Sequence, residues 1–425
     1  MEWTPKDWRK HAGEFPRFLA PFAAPMGRSE RREGAALYIE GLLLPGERKS
    51  IEPMAERLGV DSQKLQQFIA DSPWEAEEVW RVIRREFPGH LEPLLAWIVD
   101  ETGWLKQGEH SVGVAHQYCG AEGKSANCQV NVQVAVTDGE ASVPVAARLY
   151  LPEKWTNDPA RCREAGVPPE VVFATKPQIA VDLIEEALAD GVAPAPILGD
   201  AAYGGNGPFR DRVREKGLEF FLQVDAQRLI GWAKPVIVER RRTLWYVREG
   251  QSEAKPLIEL WAARQDKDWQ RCSWKAADGQ TRHTRLGWMK VYLPGSLERG
   301  SDSLEELWLV VDWPQGDTEA YHYYLAHLHR PPQKARLLRL SRSRWNIEQY
   351  FQRAKTDLGL DHYEGRSWRG FHHHMLLAVL AYLFVTVVHL RVKKNFWCDL
   401  GTDAEPDAAL AAALDRVLPL LRKEI

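Results

Sequence analysis

The sequence predicts an α/β protein of the α+β kind, with a helical N-terminal domain, a mixed core of strands followed by alternating helices and strands, and a β-rich insertion within that core. Three observations predict it. Apolar residues recur at helical spacing through the first ninety positions, period-two alternation takes over from Leu94, and helical spacing returns after Gln333. At 425 residues the chain exceeds the size at which a single core stops growing, so several domains or subdomains are expected. Hydrophobic residues at 44% and charged residues at 27% are ordinary for a soluble globular protein and exclude a disordered or fibrous chain.

Residues 1–90 form the first unit. Apolar spacing from Ala35 to Leu44 predicts a helix. Ser50 then caps a helix through Leu58, Gly59 turns the chain, and Asp61 caps another helix to Ile69. This helix, glycine turn and helix resemble a helix-turn-helix, so the unit is a candidate DNA-binding domain, although helical bundles without DNA function share the pattern. Residues 91–225 follow as the first part of the core. LLAWIVDET reads as a buried strand ending in acids, and HSVGVAHQYC, NCQVNVQVAVTDG and ASVPVAARLYLP as an antiparallel meander. The run from Ile179 to Asp190 is a helix leading to the strand PAPILGD, then a helix over Pro208–Lys216 and the strand EFFLQV. Three strands followed by helix, strand, helix and strand is the order that a ribonuclease-H-like fold requires. Residues 226–325 break that rhythm with further strands and form the β-rich insertion. Residues 326–395 complete the core, with one helix over Arg344–Lys355, the loop LGLDHYEGRSW and an apolar helix ending near Leu390, and residues 396–425 are a helical tail.

The formal net charge is only −3, so a uniformly basic nucleic-acid binder is excluded. Charge is concentrated instead: between Arg330 and Arg369 ten Lys or Arg face four acids, a local net of +6 that suits phosphates. Eighteen Trp supply rigid faces for packing or for stacking on bases. Five cysteines without CxxC spacing predict free thiols in a reducing compartment. The first fifteen residues lack a signal peptide's apolar stretch, and Met375–Leu390, at 16 residues, is short for a membrane span, so a cytoplasmic protein with no membrane partner is expected.

Asp100 closes the strand WIVD and Asp200 the strand ILGD. Two carboxylates at the ends of neighbouring strands can converge on a hard divalent cation, which takes carboxylate and phosphate oxygens. Glu348 is the third candidate. In SRSRWNIEQYFQRAKTDLGL, Arg344, Glu348, Gln352 and Lys355 fall on one helical face, where a carboxylate beside cations suits a metal held next to phosphate; an exposed face of ion pairs is the alternative reading of that helix alone.

Taken together, VDET at Asp100, GDAAYG at Asp200, and Arg344, Glu348 and Lys355 followed by LGLDHYEGRSWRGFHHH resemble the DDE transposases of bacterial insertion sequences, in the branch with a β-rich insertion between the second Asp and the Glu. The likeness covers roughly residues 35–390. In that branch a Tyr stands three residues before the Arg; here the position is Ser341. The resemblance implies a ribonuclease-H-like catalytic core in which Asp100, Asp200 and Glu348 bind two Mg²⁺ or Mn²⁺ ions, with Asp100 bridging them. It implies metal-dependent cleavage of double-stranded DNA at the terminal inverted repeats and strand transfer into target DNA, by a homodimer on DNA associated with the nucleoid when acting. Arg344 and Lys355 would hold the DNA backbone, and Arg353, Arg366, Trp368, Arg369 and Tyr203 are further candidate DNA contacts.

Other residues invite weaker readings. Glu101 follows Asp100 and so points to the opposite face of its strand. Gly204, Gly205 and Gly207 with Tyr203 suit either a phosphate cradle or a flexible turn. His372, His373 and His374 diverge by about 100° each on a helix and do not converge on one ion, so DNA contact or surface exposure is expected of them. Two other functions fit the same residues: a ribonuclease-H-like nuclease that cuts without joining, and a domesticated DNA-binding protein or regulator, which has no physical need for three mutually repelling acids.

Overall fold

Residues 4–394 are described by the computed structural model, apart from 92, 121, 242–243, 249–252, 276–278, 296–303 and 316–321. The expected helical tail over 396–425, with Cys398, therefore lies outside the described residues. The other four cysteines are free, as their spacing predicts.

Six helices build the N-terminal region: α1 (Pro5–His11), α2 (Phe15–Ala23), α3 (Ser29–Leu43), α4 (Ile51–Leu58), α5 (Ser62–Ala70) and α6 (Ala76–Glu86). The turn between α4 and α5 works as its residues dictate. Gly59 takes φ +64°, which a side chain would resist, and the Asp61 carboxylate accepts the Gln63 amide at 2.9 Å. Gln63, Lys64, Gln66 and Gln67 form the exposed face of α5, while Leu65, Phe68 and Ile69 are buried.

The sheet begins with β1 (Ala96–Leu105), β2 (Ala115–Cys119), β3 (Lys124–Thr137) and β4 (Ser142–Tyr150). β3 is long enough to pair with β1 along one edge and with β2 and then β4 along the other. After the short helices α7 (Glu153–Thr156) and α8 (Pro159–Glu164) comes α9 (Lys176–Ala189), opened by a capping box between Thr175 and Gln178. β5 (Ile197–Gly199), α10 (Ala201–Gly204), α11 (Gly207–Glu215) and β6 (Phe220–Val224) follow, and both strands are parallel to β1. The order β4-β3-β1-β5-β6, with three antiparallel strands and then two parallel ones, is the ribonuclease-H-like arrangement expected from the element order.

The following segment holds the two-stranded pairs β7 (Ile230–Gly231) with β10 (Lys255–Pro256) and β8 (Val238–Arg241) with β9 (Leu244–Val247), the helix α12 (Leu257–Ala262), and four longer strands. These are β11 (Gln270–Lys275), β12 (Thr281–Leu293), β13 (Glu305–Pro314) and β14 (His322–His327). They do not stack as a separate layer: β14 pairs with β6, and β13, β12 and β11 continue the same sheet outward. A buried ion pair fastens this extension, with Arg210 of α11 donating to both Glu305 oxygens at 3.0 and 2.7 Å, both side chains at most 3% exposed.

The chain closes with α13 (Lys334–Ser343), α14 (Trp345–Thr356) and α15 (Trp368–Lys394). At 27 residues α15 overruns the expected apolar helix, and the stretch Trp368–Leu390 is long and apolar enough to cross a membrane. Length therefore does not exclude a membrane span, but 83% of the most apolar window of that stretch is buried within the protein. The N-terminal helices cover one side of it, with Trp8, Phe15 and Phe18 packing their rings against Phe384 at 5.2–6.2 Å. One buried cluster runs from Trp8 through the sheet to Val388.

Candidate active site

The parallel ladder between β1 and β5 pairs Trp97 with Ile197 and Ile98 with Leu198, and goes no further. Asp100 and Asp200 each lie two residues beyond the last pair, so two neighbouring strands in register present their aspartates side by side. Asp200 indeed stands just past its strand, capping α10 through an Oδ1 that accepts the Ala202 amide at 2.9 Å. Asp100 does not close β1, contrary to the sequence reading. The strand continues to Leu105 because Glu101–Leu105 stay paired with β3; it is the parallel partner that stops.

Opposite Asp100 in the antiparallel register is Gln133. Across that face runs α14, whose Tyr350 hydroxyl donates to Gln133 Oε1 at 2.9 Å while Asn346 Nδ2 donates to Thr137 Oγ1 at 2.9 Å. Residues four apart on the helix meet residues four apart on the strand, and the two bonds fix α14 against β3, while Glu348, two residues from each, is carried on another side of the helix. Arg344, at the junction of α13 and α14, links the acids: Nη1 is 3.5 Å from Asp100 Oδ2 and Nη2 is 2.5 Å from Glu348 Oε1. The helical face inferred from spacing is therefore real for this pair, and it turns toward Asp100.

Burial raises the Asp100 carboxyl to about 7, helped by the charge of Asp200 and opposed by Arg344. Asp200 is raised as well, by burial and by the charge of Glu101. The cluster holds more negative charge than one guanidinium balances. Among the described residues, no group of three or more His, Cys, Asp or Glu is arranged to hold a metal ion directly. Asp100 and Glu348 meet here through Arg344, and Asp200 joins them through Asp100.

Several candidate DNA contacts are placed elsewhere. Tyr203 is fully buried, its hydroxyl donating to Glu101 Oε2 at 2.9 Å, so it offers nothing to a phosphate. Lys355 is turned inward, its ammonium donating to the Gly103 carbonyl at 2.7 Å, and burial lowers its pKa. Arg353 is exposed, but its charge bears on Tyr382 and His389 of α15, away from the aspartates, because five residues carry it well around the helix from Glu348. Trp368 is half-buried with His372 packed on its ring at 4.3 Å, and Arg369, though exposed, reaches toward the Asp71 carbonyl at 3.4 Å. Arg366 is exposed in the loop before α15. The basic stretch is also partly neutralised, Arg336 by Glu219 and Arg342 by the buried Asp312. Ser341 bonds the Leu338 carbonyl of its own helix.

The histidine run is neither exposed nor free for DNA. His373 stacks on Trp74 at 3.7 Å with its nitrogens 3.0 and 2.9 Å from the Ile69 and Trp74 carbonyls, and His374 lies between Tyr38 and the Gly359 and Leu360 carbonyls. Burial pushes His372 and His373 down to about 4 and His374 to about 3, so all three are neutral and fasten α15 to the N-terminal helices and to the sheet.

Gln133 and Tyr350 escaped the sequence reading. A signal was present: Gln129, Asn131 and Gln133 alternate with Val in β3, and all are fully buried, so one face of that strand is polar inside the core. Lys176, which donates to Glu101 Oε1 at 2.8 Å, had no such signal, because seventy-five residues separate the pair.

Comparison with known proteins adds two findings. A family model described as DDE superfamily endonuclease matches residues 21–284, more than half of the chain, including Asp100 and Asp200 but ending before Glu348. A probable transposase for insertion sequence element IS701 from Microchaete diplosiphon is 31% identical over 164 residues, which is 38% of this chain and 40% of that protein. The matched segment thus spans less than half of this relative's length.

Proposed function

Since this chain belongs to the DDE superfamily of endonucleases, whose members cut with divalent metal ions, we propose that it is an insertion-sequence transposase that cleaves double-stranded DNA at terminal inverted repeats and joins the ends to target DNA. The observation that carries this reading is the paired placement of Asp100 and Asp200 two residues beyond one parallel ladder, with Glu348 brought to Asp100 by Arg344.

The donor set fits hard divalent ions. All three candidates offer carboxylate oxygens, and the buried charge that lifts Asp100 to about 7 is what added positive charge would relieve. Asp100, Asp200 and Glu348 would hold two Mg²⁺ or Mn²⁺ ions. When bound, such ions activate water or a 3′-hydroxyl and stabilise the departing oxygen of an in-line displacement at phosphorus. The protein's own residues do the rest. Arg344 exchanges its carboxylate partners for a phosphate of the cleaved strand, since a guanidinium accommodates either in a bidentate fork. Gln133 and Tyr350 keep α14, and with it Glu348, seated over β3. Exposed Arg366 and Arg369 and the polar face of α5 are candidates for flanking backbone contacts, and synapsis of two ends calls for a homodimer on DNA.

Nicking of supercoiled plasmid in Mn²⁺ tests this reading. Wild-type protein should nick and Asp200→Ala should not. Given a substrate with the ends that flank its own coding region, wild type should also join. Nicking without joining would favour a simple nuclease, and DNA binding without nicking a regulator.

A further inference from the structure

Glu101 stands next to Asp100 on β1 and faces the other way, toward α9. There it accepts two hydrogen bonds: the Tyr203 hydroxyl at 2.9 Å on Oε2 and the Lys176 ammonium at 2.8 Å on Oε1. Each donor comes from a different element. Lys176 is the first residue of α9, and Tyr203 lies in the single turn of α10 that Asp200 caps. Glu101 therefore joins the strand that carries Asp100 to the turn that carries Asp200. The far side of that turn is equally fixed: a methyl group placed on Gly204 would come within 1.9 Å of the Gln223 carbonyl, so α10 lies directly against β6. The Arg210 guanidinium also bonds the Gly204 carbonyl at 2.7 Å. The turn is clamped between β6 and Glu101.

We propose that Glu101, with Tyr203 and Lys176, is a positioning group that sets the separation of the Asp100 and Asp200 carboxylates and so tunes the affinity for divalent cations. It is not a ligand, because its side chain leaves the opposite face of β1 and both of its oxygens are occupied. The inference rests on the assignment of Asp100 and Asp200 as metal ligands. Groups bonded directly to metal ligands typically change metal affinity about 10- to 100-fold when removed, and a set that acts on the ligands through their backbone is placed at the lower end of that range.

Mn²⁺ binding to the full chain without DNA, followed by the electron paramagnetic resonance signal of the free ion, tests it alongside thermal melting. Tyr203→Phe keeps the ring and removes one hydrogen bond, so the variant should fold and bind Mn²⁺ about tenfold more weakly. Glu101→Ala should weaken binding at least as much. Glu101→Gln, which retains a carbonyl acceptor for Tyr203, should stay within about threefold of wild type. In nicking assays, Tyr203→Phe should need about tenfold more Mn²⁺ for half-maximal rate and reach the wild-type maximum once supplied, which a general loss of structure would not produce. If wild type binds Mn²⁺, Asp200→Ala does not, and folded Tyr203→Phe and Glu101→Ala bind as wild type does, the positioning role is overturned and the metal site stands. If Asp200→Ala binds Mn²⁺ as well as wild type, the ligand assignment itself falls and this inference with it.

Discussion

Replacing Asp100 by Asn should stabilise the protein in the absence of metal, and the size of the effect follows from the site. Burial and the neighbouring Asp200 lift the Asp100 carboxyl from 3.8 to about 7. A folded state that holds its proton more tightly than the unfolded chain gains stability below about pH 4. That gain is lost progressively as pH rises to about 7, and above that the folded protein bears the full cost of an ionised, buried carboxylate. About three pKa units at ~1.4 kcal/mol each set a ceiling of about 4 kcal/mol. The side chain is only 14% exposed, so solvent screening removes little, and about 2–4 kcal/mol is expected at pH 8. Calorimetric melting in EDTA at pH 4, 6 and 8 measures it. Asp100→Asn should match wild type at pH 4, exceed it increasingly toward pH 8, and gain nothing from added Mn²⁺ where wild type is stabilised. A variant less stable than wild type at pH 8, or a difference that does not change with pH, would refute the claim that desolvation outweighs the Arg344 contact at this residue.

Three further outcomes follow from neighbouring geometry. Glu348→Gln keeps the shape of the side chain but not its charge, and should lower plasmid nicking by about 10³-fold, the scale of losing several kcal/mol of metal-assisted stabilisation, while the melting temperature moves little. Gly204→Ala, whose new methyl group meets the Gln223 carbonyl, should destabilise the fold by about 1–3 kcal/mol in denaturant titrations and depress nicking by displacing the turn that carries Asp200. Glu305→Gln leaves Arg210 buried opposite a neutral partner and should cost about 3–5 kcal/mol in the same titrations, whereas a paired apolar replacement of both residues should recover much of that loss.

Local order was readable where it depends on nearby residues. The helices on either side of Gly59, the alternation of β3 and β4, and the helix, strand, helix, strand run from Lys176 to Val224 all lie close to where spacing and turn residues put them, although Ser50, expected to cap α4, stands at its N-cap with no side-chain bond. Arg344 and Glu348 share a face because four residues make one turn, and they touch. What escaped depends on partners far away in the chain. The runs TRLGWMKVYLP and ELWLVVDWP read as strands, but nothing in them says which sheet they enter; that is fixed by β14, whose short HYYLAH run was missed and whose pairing with β6 spans about a hundred residues. Tyr203 beside its glycines suggested a phosphate cradle because nothing near it in the sequence announces Glu101 as a partner. The histidines of α15 looked like surface residues for the same reason: their acceptors are carbonyls of the N-terminal helices and the 359–360 turn. Polar residues buried by long-range contacts look exposed to any reading confined to neighbours.

The placement of α15 has a consequence for biosynthesis. This helix supplies the apolar surface against which both the N-terminal helices and the polar-lined face of the sheet are sealed, yet it is made after every described strand. A nascent chain that has reached Thr356 carries every described strand but lacks the cover that α15 gives the sheet and the N-terminal helices, and such non-local assembly is slow and exposed to aggregation. A stop codon anywhere before residue 368 should therefore yield insoluble material rather than a smaller working fragment, and synthesis of α15, rather than completion of the sheet, marks when the core can close.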